Sequence, residues 1–230
     1  MKIRFLGQSG YLLESGRYGI MIDPYLSESV KRASGKAREL PIPIEPKDVR
    51  CDAVICTHDH LDHLDPDTVM GMAEEQLFIT TNGGKEKLKS LGRNNAVGLS
   101  VGDSVKVGDF VITAVFADHT VEAIGVIVEA EGKKLYFSGD TLYNEKLFEI
   151  KKYEPDVTFI CINGRLGNMN VNEALTVAKE IGAKINVPTH YDMFASNSED
   201  PHLFADHISG GYILSFDKTY TVENAIKPYN

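Results

Sequence analysis

The chain has 230 residues, 43% of them hydrophobic and 25% charged, the composition of an ordinary globular protein long enough to bury a large core as one domain spanning 1–230. Its formal net charge of −9 disfavours nucleic acid as a partner, because binding to a phosphate backbone rests on clustered Lys and Arg. No apolar run approaches the roughly 20 residues of a membrane-spanning helix, so no membrane partner is expected.

From the start, Ile3 to Leu6, Tyr11 to Glu14 and Tyr18 to Ile22 are short apolar runs separated by Gly10 and by Ser15-Gly16, the pattern of an antiparallel meander. Gly7-Gln8-Ser9-Gly10 has the glycines of a phosphate cradle, but no helix follows, so a strand turn is the better reading. The first residues turn polar too soon for a secretory leader, and a cytoplasmic location is expected. Asp23-Pro24 ends the meander, and the mixed stretch Ser27 to Pro46 reads as an ordered loop or a mobile flap over a site. Asp52-Ala53-Val54-Ile55-Cys56 has strand character, and Asp65-Pro66-Asp67 is a helix start with Asp65 as N-cap.

A strand at Leu77 to Thr80, a helix after Asn82-Gly83-Gly84, and a strand pair around Val105 and Phe110 to Phe116 complete a first half. The basic run Lys85 to Lys89 with Arg93 falls on that helix, where a solvated face explains it. Strands at Ala123 to Glu129 and Lys134 to Phe137 form a hairpin over Glu131-Gly132. Then come a helix at Asn144 to Lys152, a strand at Val157 to Cys161, a helix at Asn172 to Ile181 and a strand at Lys184 to Val187. His202 and His207 fall on a C-terminal helix and are read as having no site role, with His202 kept open. Two similar halves imply an α/β fold with sheets packed face to face and helices outside. The three cysteines, Cys51, Cys56 and Cys161, lie in or beside apolar segments and are expected as reduced thiols.

Between Thr57 and Leu64, three histidines and two aspartates fall within six positions, a density that neither a core nor a solvated helix face requires. Imidazole with carboxylate suits zinc, iron or manganese, and two such ions side by side can generate a hydroxide nucleophile at neutral pH. His58 and His60 point one way from an extended segment, whereas Asp62 and His63 point elsewhere, and two directions suggest two metals. Asp59 points opposite to the first pair and is expected to support the loop. Four ligands cannot complete two coordination spheres, so further donors are required. His119, Asp140 and His190 each follow an apolar, strand-like run and are the candidates.

The series Thr57-His58-x-His60-x-Asp62-His63, then His119, then Ser138-Gly139-Asp140-Thr141, then His190 resembles the metallo-beta-lactamase superfamily. The resemblance implies a four-layer αββα sandwich with metals at one rim between the halves. It also implies a first metal on His58, His60 and His119, a second on Asp62, His63 and His190, and Asp140 bridging both. The stretches Ile162 to Met169 and Pro188 to Phe194, with Asn197, are similar to a branch of the superfamily that includes L-ascorbate-6-phosphate lactonase.

Asn163, Arg165, Asn168 and Asn197 are therefore the substrate-binding candidates, with Arg165 suited to grip a phosphate or carboxylate, or else to brace its loop. Asp62 would orient the nucleophile, and His190 stands beside Tyr191, which would either donate to a developing oxyanion or pack beside the ligand. The expected reaction is metal-dependent hydrolysis of an ester, lactone or phosphoester of a small anionic substrate, a sugar-phosphate lactone among them. The alternatives are a phosphodiesterase or nuclease of the same fold, or an iron-dependent oxidoreductase. Two divalent ions are expected, Zn2+ first, with Mn2+ or iron open, and a homo-oligomer is left open.

Overall fold

The computed structural model describes residues 1–229. Strands β1 (Lys2–Gly7), β2 (Gly10–Ser15) and β3 (Tyr18–Ile22) pair antiparallel as the expected meander. β4 (Ala53–Ile55), β5 (Phe78–Thr81) and β6 (Ala96–Leu99) then extend the sheet in parallel. Successive strand residues face opposite sides. Ile20, Ile22, Ala53, Ile55 and Ile79 thus join the main core, while Met21, Val54, Cys56 and Phe78 join a second one. That second core is covered by α2 (Pro66–Gly71) and α3 (Asn82–Ser90) through Val69 and Leu88.

The other sheet contains β7 (Ser104–Val107), β8 (Phe110–Phe116), β9 (Ile124–Ala130), β10 (Lys133–Phe137), β11 (Val157–Cys161) and β12 (Ile185–Thr189), in the order β12-β11-β10-β9-β8-β7. β7 to β10 are antiparallel, and β11 and β12 add in parallel. Helix α4 (Val171–Ile181) buries Ala174, Val177, Ala178 and Ile181 against it, and a 3₁₀ helix, Glu145–Tyr153, buries Leu147 and Ile150. The two sheets share the main core, giving the four-layer αββα sandwich. No helix among the described residues is long and apolar enough to cross a membrane.

Several expected elements differ in detail. Asn144 caps a 3₁₀ helix rather than an α-helix, its side chain accepting from Lys146 N at 3.0 Å. Helix α3 begins at Asn82, not after Gly84, because the Thr81 side chain accepts from Gly84 N at 3.0 Å and so caps it. A Cβ at Gly84 would strike the Thr80 side chain, which accounts for a glycine inside that first turn. The expected C-terminal helix is a single turn, α5 (His202–Ala205), and His207 lies beyond it. Strands β13 (Thr219–Val222) and β14 (Ile226–Pro228), which no sequence pattern announced, complete an eight-stranded first sheet, β13 pairing onto β1 and β14 onto β13.

The hairpin over Glu131-Gly132 is as expected, both residues taking positive φ, 51° and 70°. Asp65 caps α2 with Pro66 at its first position. The stretch 27–46 contains the short helix α1 (Ser29–Ser34) and is tied down. The Arg38 guanidinium donates to the carbonyls of Tyr25, Leu40 and Pro41, and Glu39 N donates to Met193 O at 2.8 Å. All three cysteines are free, and burial pushes the Cys51 thiol up to about 12.

Candidate metal centre

Every candidate ligand is delivered at the end of a strand. His58 to His63 follow β4, His119 follows β8, Asp140 follows β10 and His190 follows β12, so both sheets feed one rim of the sandwich. The histidine-rich loop is wound tightly, with Leu64 N and His63 N both donating to His60 O at 2.8 and 3.1 Å. Lys87 on α3 donates to the carbonyl of Asp59, so Asp59 anchors the loop through its backbone. Gly139 has φ +58°, and a Cβ there would stand 2.9 Å from Thr57, so glycine lets β10 bring Asp140 close against the loop.

Two donor groups result, with Asp140 between them. His58 Nε2 and His119 Nε2 each lie 3.1 Å from His60 Nδ1. Nitrogens held about 2.0–2.1 Å from a tetrahedral zinc are about 3.3 Å apart, close to this spacing. In the second group, Asp62 Oδ2 lies 4.0 Å from His63 Nε2 and 3.7 Å from His190 Nε2. Asp140 Oδ1 is 3.3 Å from His63 Nε2, and its Oδ2 is 3.3 Å from His190 Nε2 and 4.0 Å from His119 Nε2. His63 Nε2 and Asp140 Oδ1 are buried and, despite their proximity, neither makes a hydrogen bond among the described residues. Two buried donors of metal-ligand type that face each other without bonding fit a shared cation.

The outward nitrogens of three of the histidines are engaged, which fixes those rings. His63 Nδ1 lies 2.8 Å from Asp23 Oδ2, His119 Nδ1 3.0 Å from Gly167 O, and His58 Nδ1 3.1 Å from Thr57 Oγ1. Asp23 also accepts from Thr57 N and Thr57 Oγ1, both at 2.7 Å. Burial, reinforced by the neighbouring His63, pushes His58 well below the usual imidazole range. Burial pulls His63 down too, but Asp140, Asp23 and Asp62 outweigh it and hold His63 well above that range. Desolvation raises Asp140, yet His190 and His63 prevail and keep its carboxyl well below the usual carboxylate value. The cluster thus turns an ionised carboxylate and several imidazole nitrogens toward the same small volume, a donor set suited to positive charge.

The substrate candidates fall differently. Asn163, Asn168 and Asn197 are buried and bonded to one another, Asn163 Nδ2 donating to Asn197 Oδ1 at 2.8 Å and Asn168 Nδ2 to Asn163 Oδ1 at 2.9 Å. They fasten the 163–168 loop to the loop after His190. Arg165 is exposed on the former and donates to Ser196 O at 3.0 Å, the brace that was the alternative expectation. Tyr191 is buried with its hydroxyl donating to Leu214 O at 3.2 Å and its ring 5.8 Å from Phe5, the packing position rather than an oxyanion donor's. His202 is exposed and pairs with Asp206. Two residues at the cluster, Asp23 and Gln8, are not marked by the sequence. Both follow apolar strands, the signal that located Asp140, but each sits in a turn-forming context that masked it.

Residues 18–191 match the family model described as the Beta-lactamase superfamily domain. A UPF0173 metal-dependent hydrolase of Oenococcus oeni is 27% identical over 239 residues, covering 96% of this chain and 99% of the relative. Igni18, described as a novel metallo hydrolase from the archaeon Ignicoccus hospitalis, superposes with TM-score 0.78 at 24% identity, covering 96% of this chain and 98% of that one. An isothiocyanate hydrolase from Delia radicum gut bacteria gives TM-score 0.80 at 19% identity, covering 97% and 100%. The last two share the fold. With the family model spanning most of its length and the histidine-aspartate cluster at the sandwich rim, the chain belongs to the metallo-beta-lactamase superfamily and is a metal-dependent hydrolase.

Proposed function

We propose that the chain, acting as a single domain, hydrolyses an ester, lactone or phosphoester bond of a small anionic substrate, a sugar-phosphate lactone among them. The observation that carries this reading is Asp140 standing within 4.0 Å of histidines from both donor groups, the arrangement a pair of cations would share. His58, His60 and His119 would hold one, Asp62, His63 and His190 the other, and Asp140 both, with Zn2+ the first choice and Mn2+ or iron the alternatives. Divalent cations bound there supply a nucleophile at neutral pH by lowering the pKa of water, and polarise the scissile bond.

This chain's residues do the rest. Asp62, the more accessible of the two candidate carboxylates with 19% of its side chain exposed, accepts a hydrogen bond from the attacking water and so orients it. Arg165 uses one nitrogen on Ser196 O and keeps its other donors for a phosphate or carboxylate. Asn163, Asn168 and Asn197 hold its loop in place. The same rim carries Leu142 and Leu166, 42% and 64% exposed, which give the uncharged part of a substrate apolar contact. Three free thiols accord with a cytoplasmic location.

The test is metal analysis of the purified protein with assays on bis(p-nitrophenyl) phosphate, a chromogenic lactam and a panel of lactones, before and after chelation. Two metals with chelator-sensitive lactone opening are expected. Preference for the phosphodiester would move the reading to a phosphodiesterase, and iron without hydrolysis to an oxidoreductase.

A further inference from the structure

Gln8 lies in the turn between β1 and β2, with φ +53°. That left-handed conformation is costly for a residue with a side chain, and Asp23 and His190, also at the cluster, share it with φ +43° and +64°. The turn is bolted to the end of β12, since Gln8 O accepts from His190 N at 2.8 Å and from Thr189 Oγ1 at 2.6 Å. The backbone therefore aims the side chain, which is 1% exposed, into the metal cluster.

There its Nε2 donates to Asp62 Oδ2 and lies 3.4 Å from His190 Nε2. Among the described residues no other donor bonds the Asp62 side chain, although Asp62 is more open to solvent than Asp140 and stands beside both His63 and His190. The orientation of the amide follows from chemistry, because the reverse would press its oxygen against a carboxylate oxygen. An amide also donates without bringing the positive charge with which Lys or Arg would repel a cation.

We propose that Gln8 is a positioning residue for the second cation: its amide N–H holds the Asp62 carboxylate in ligating orientation beside His63 and His190. This rests on the proposed function, in which that group holds a cation of its own. Loss of an outer hydrogen bond to a ligand typically lowers metal affinity ten- to a hundredfold. Removing the donor should therefore weaken one of two sites and spare the other.

The experiment is Zn2+ competition against a chromogenic chelator, resolving two dissociation constants for the wild type, Gln8→Met, Gln8→Glu and Gln8→Gly, with unfolding in excess chelator as the check on folding. Gln8→Met keeps the length and loses the donor, and should weaken the second site about ten- to a hundredfold with the first unchanged. Gln8→Glu sets a second carboxylate against Asp62 and should weaken it at least as much. Gln8→Gly suits the left-handed turn and repeats the test should the Met variant not fold. Wild-type affinities at both sites in Gln8→Met and Gln8→Gly would overturn the inference. So would tighter binding in Gln8→Glu, which would make the oxygen a ligand. A wild type that binds one Zn2+ would instead overturn the two-cation reading.

Discussion

Asp23 binds three groups with one carboxylate, and the consequence is felt at His63. By accepting from Thr57 N, Thr57 Oγ1 and His63 Nδ1, it fixes both the loop and the tautomer that leaves His63 Nε2 facing the cluster. Asp23→Asn swaps an acceptor oxygen for a donor and should lower metal affinity about ten- to a hundredfold in chelator competition. Unchanged affinity would mean that the tautomer is set elsewhere. Arg165 is exposed and has donors beyond the one that braces its loop. Arg165→Ala should raise KM for anionic substrates more than for neutral esters, with kcat little changed, and equal effects on both would remove it from the binding site. The sequence revealed all seven ligand candidates, because histidine and aspartate crowded together or placed after apolar runs serve neither a core nor an ordinary turn. It concealed Asp23, because aspartate before proline is also an ordinary turn former.

At the scale of elements, local signals worked where the reason for the structure was local. Helix α4 has an apolar stripe and a complete capping box, Asn170 Oδ1 accepting from Glu173 N at 3.1 Å and the Glu173 side chain from Asn170 N at 2.9 Å. Asn170→Ala should cost about 1 kcal/mol, a fall in Tm of about 2–4 °C in thermal unfolding, with metal content unchanged. A larger fall with loss of metal would show that the cap also holds the rim loop. Local signals were insufficient for Glu145–Tyr153, where an amphipathic run suits an α-helix and the structure has a 3₁₀ helix. They were silent on β13, whose partner β1 stands more than two hundred residues earlier, with Ile3 opposite Tyr220.

For the whole molecule, the cluster spans both layers: His58 to His63 extend from a strand of the first sheet, and His119, Asp140 and His190 from strands of the second. Cations held there would tie the sheets together at one rim. A ligand present at 1,000 times its Kd stabilises by about 4 kcal/mol, so chelation should lower Tm on the order of 10 °C. Calorimetry with and without chelator checks this, and an unchanged Tm would show that the sheets hold the rim without cations. In that case the rigidity would come from the main core, shared by both sheets through residues such as Ile3, Phe5, Ile112 and Val126.

The sequence by itself determined the fold class and the strand-rich halves and named the candidate donors, since hydrophobic alternation and ligand chemistry are written in residue type and spacing. Only the tertiary structure decided which polar groups serve one another. It set Asn163 against Asn168 and Asn197, turned the Tyr191 hydroxyl to Leu214, and brought Gln8 to Asp62 across 54 positions of chain. Those pairings follow from strand order and the conformation of turns, which long-range packing imposes and no local window contains.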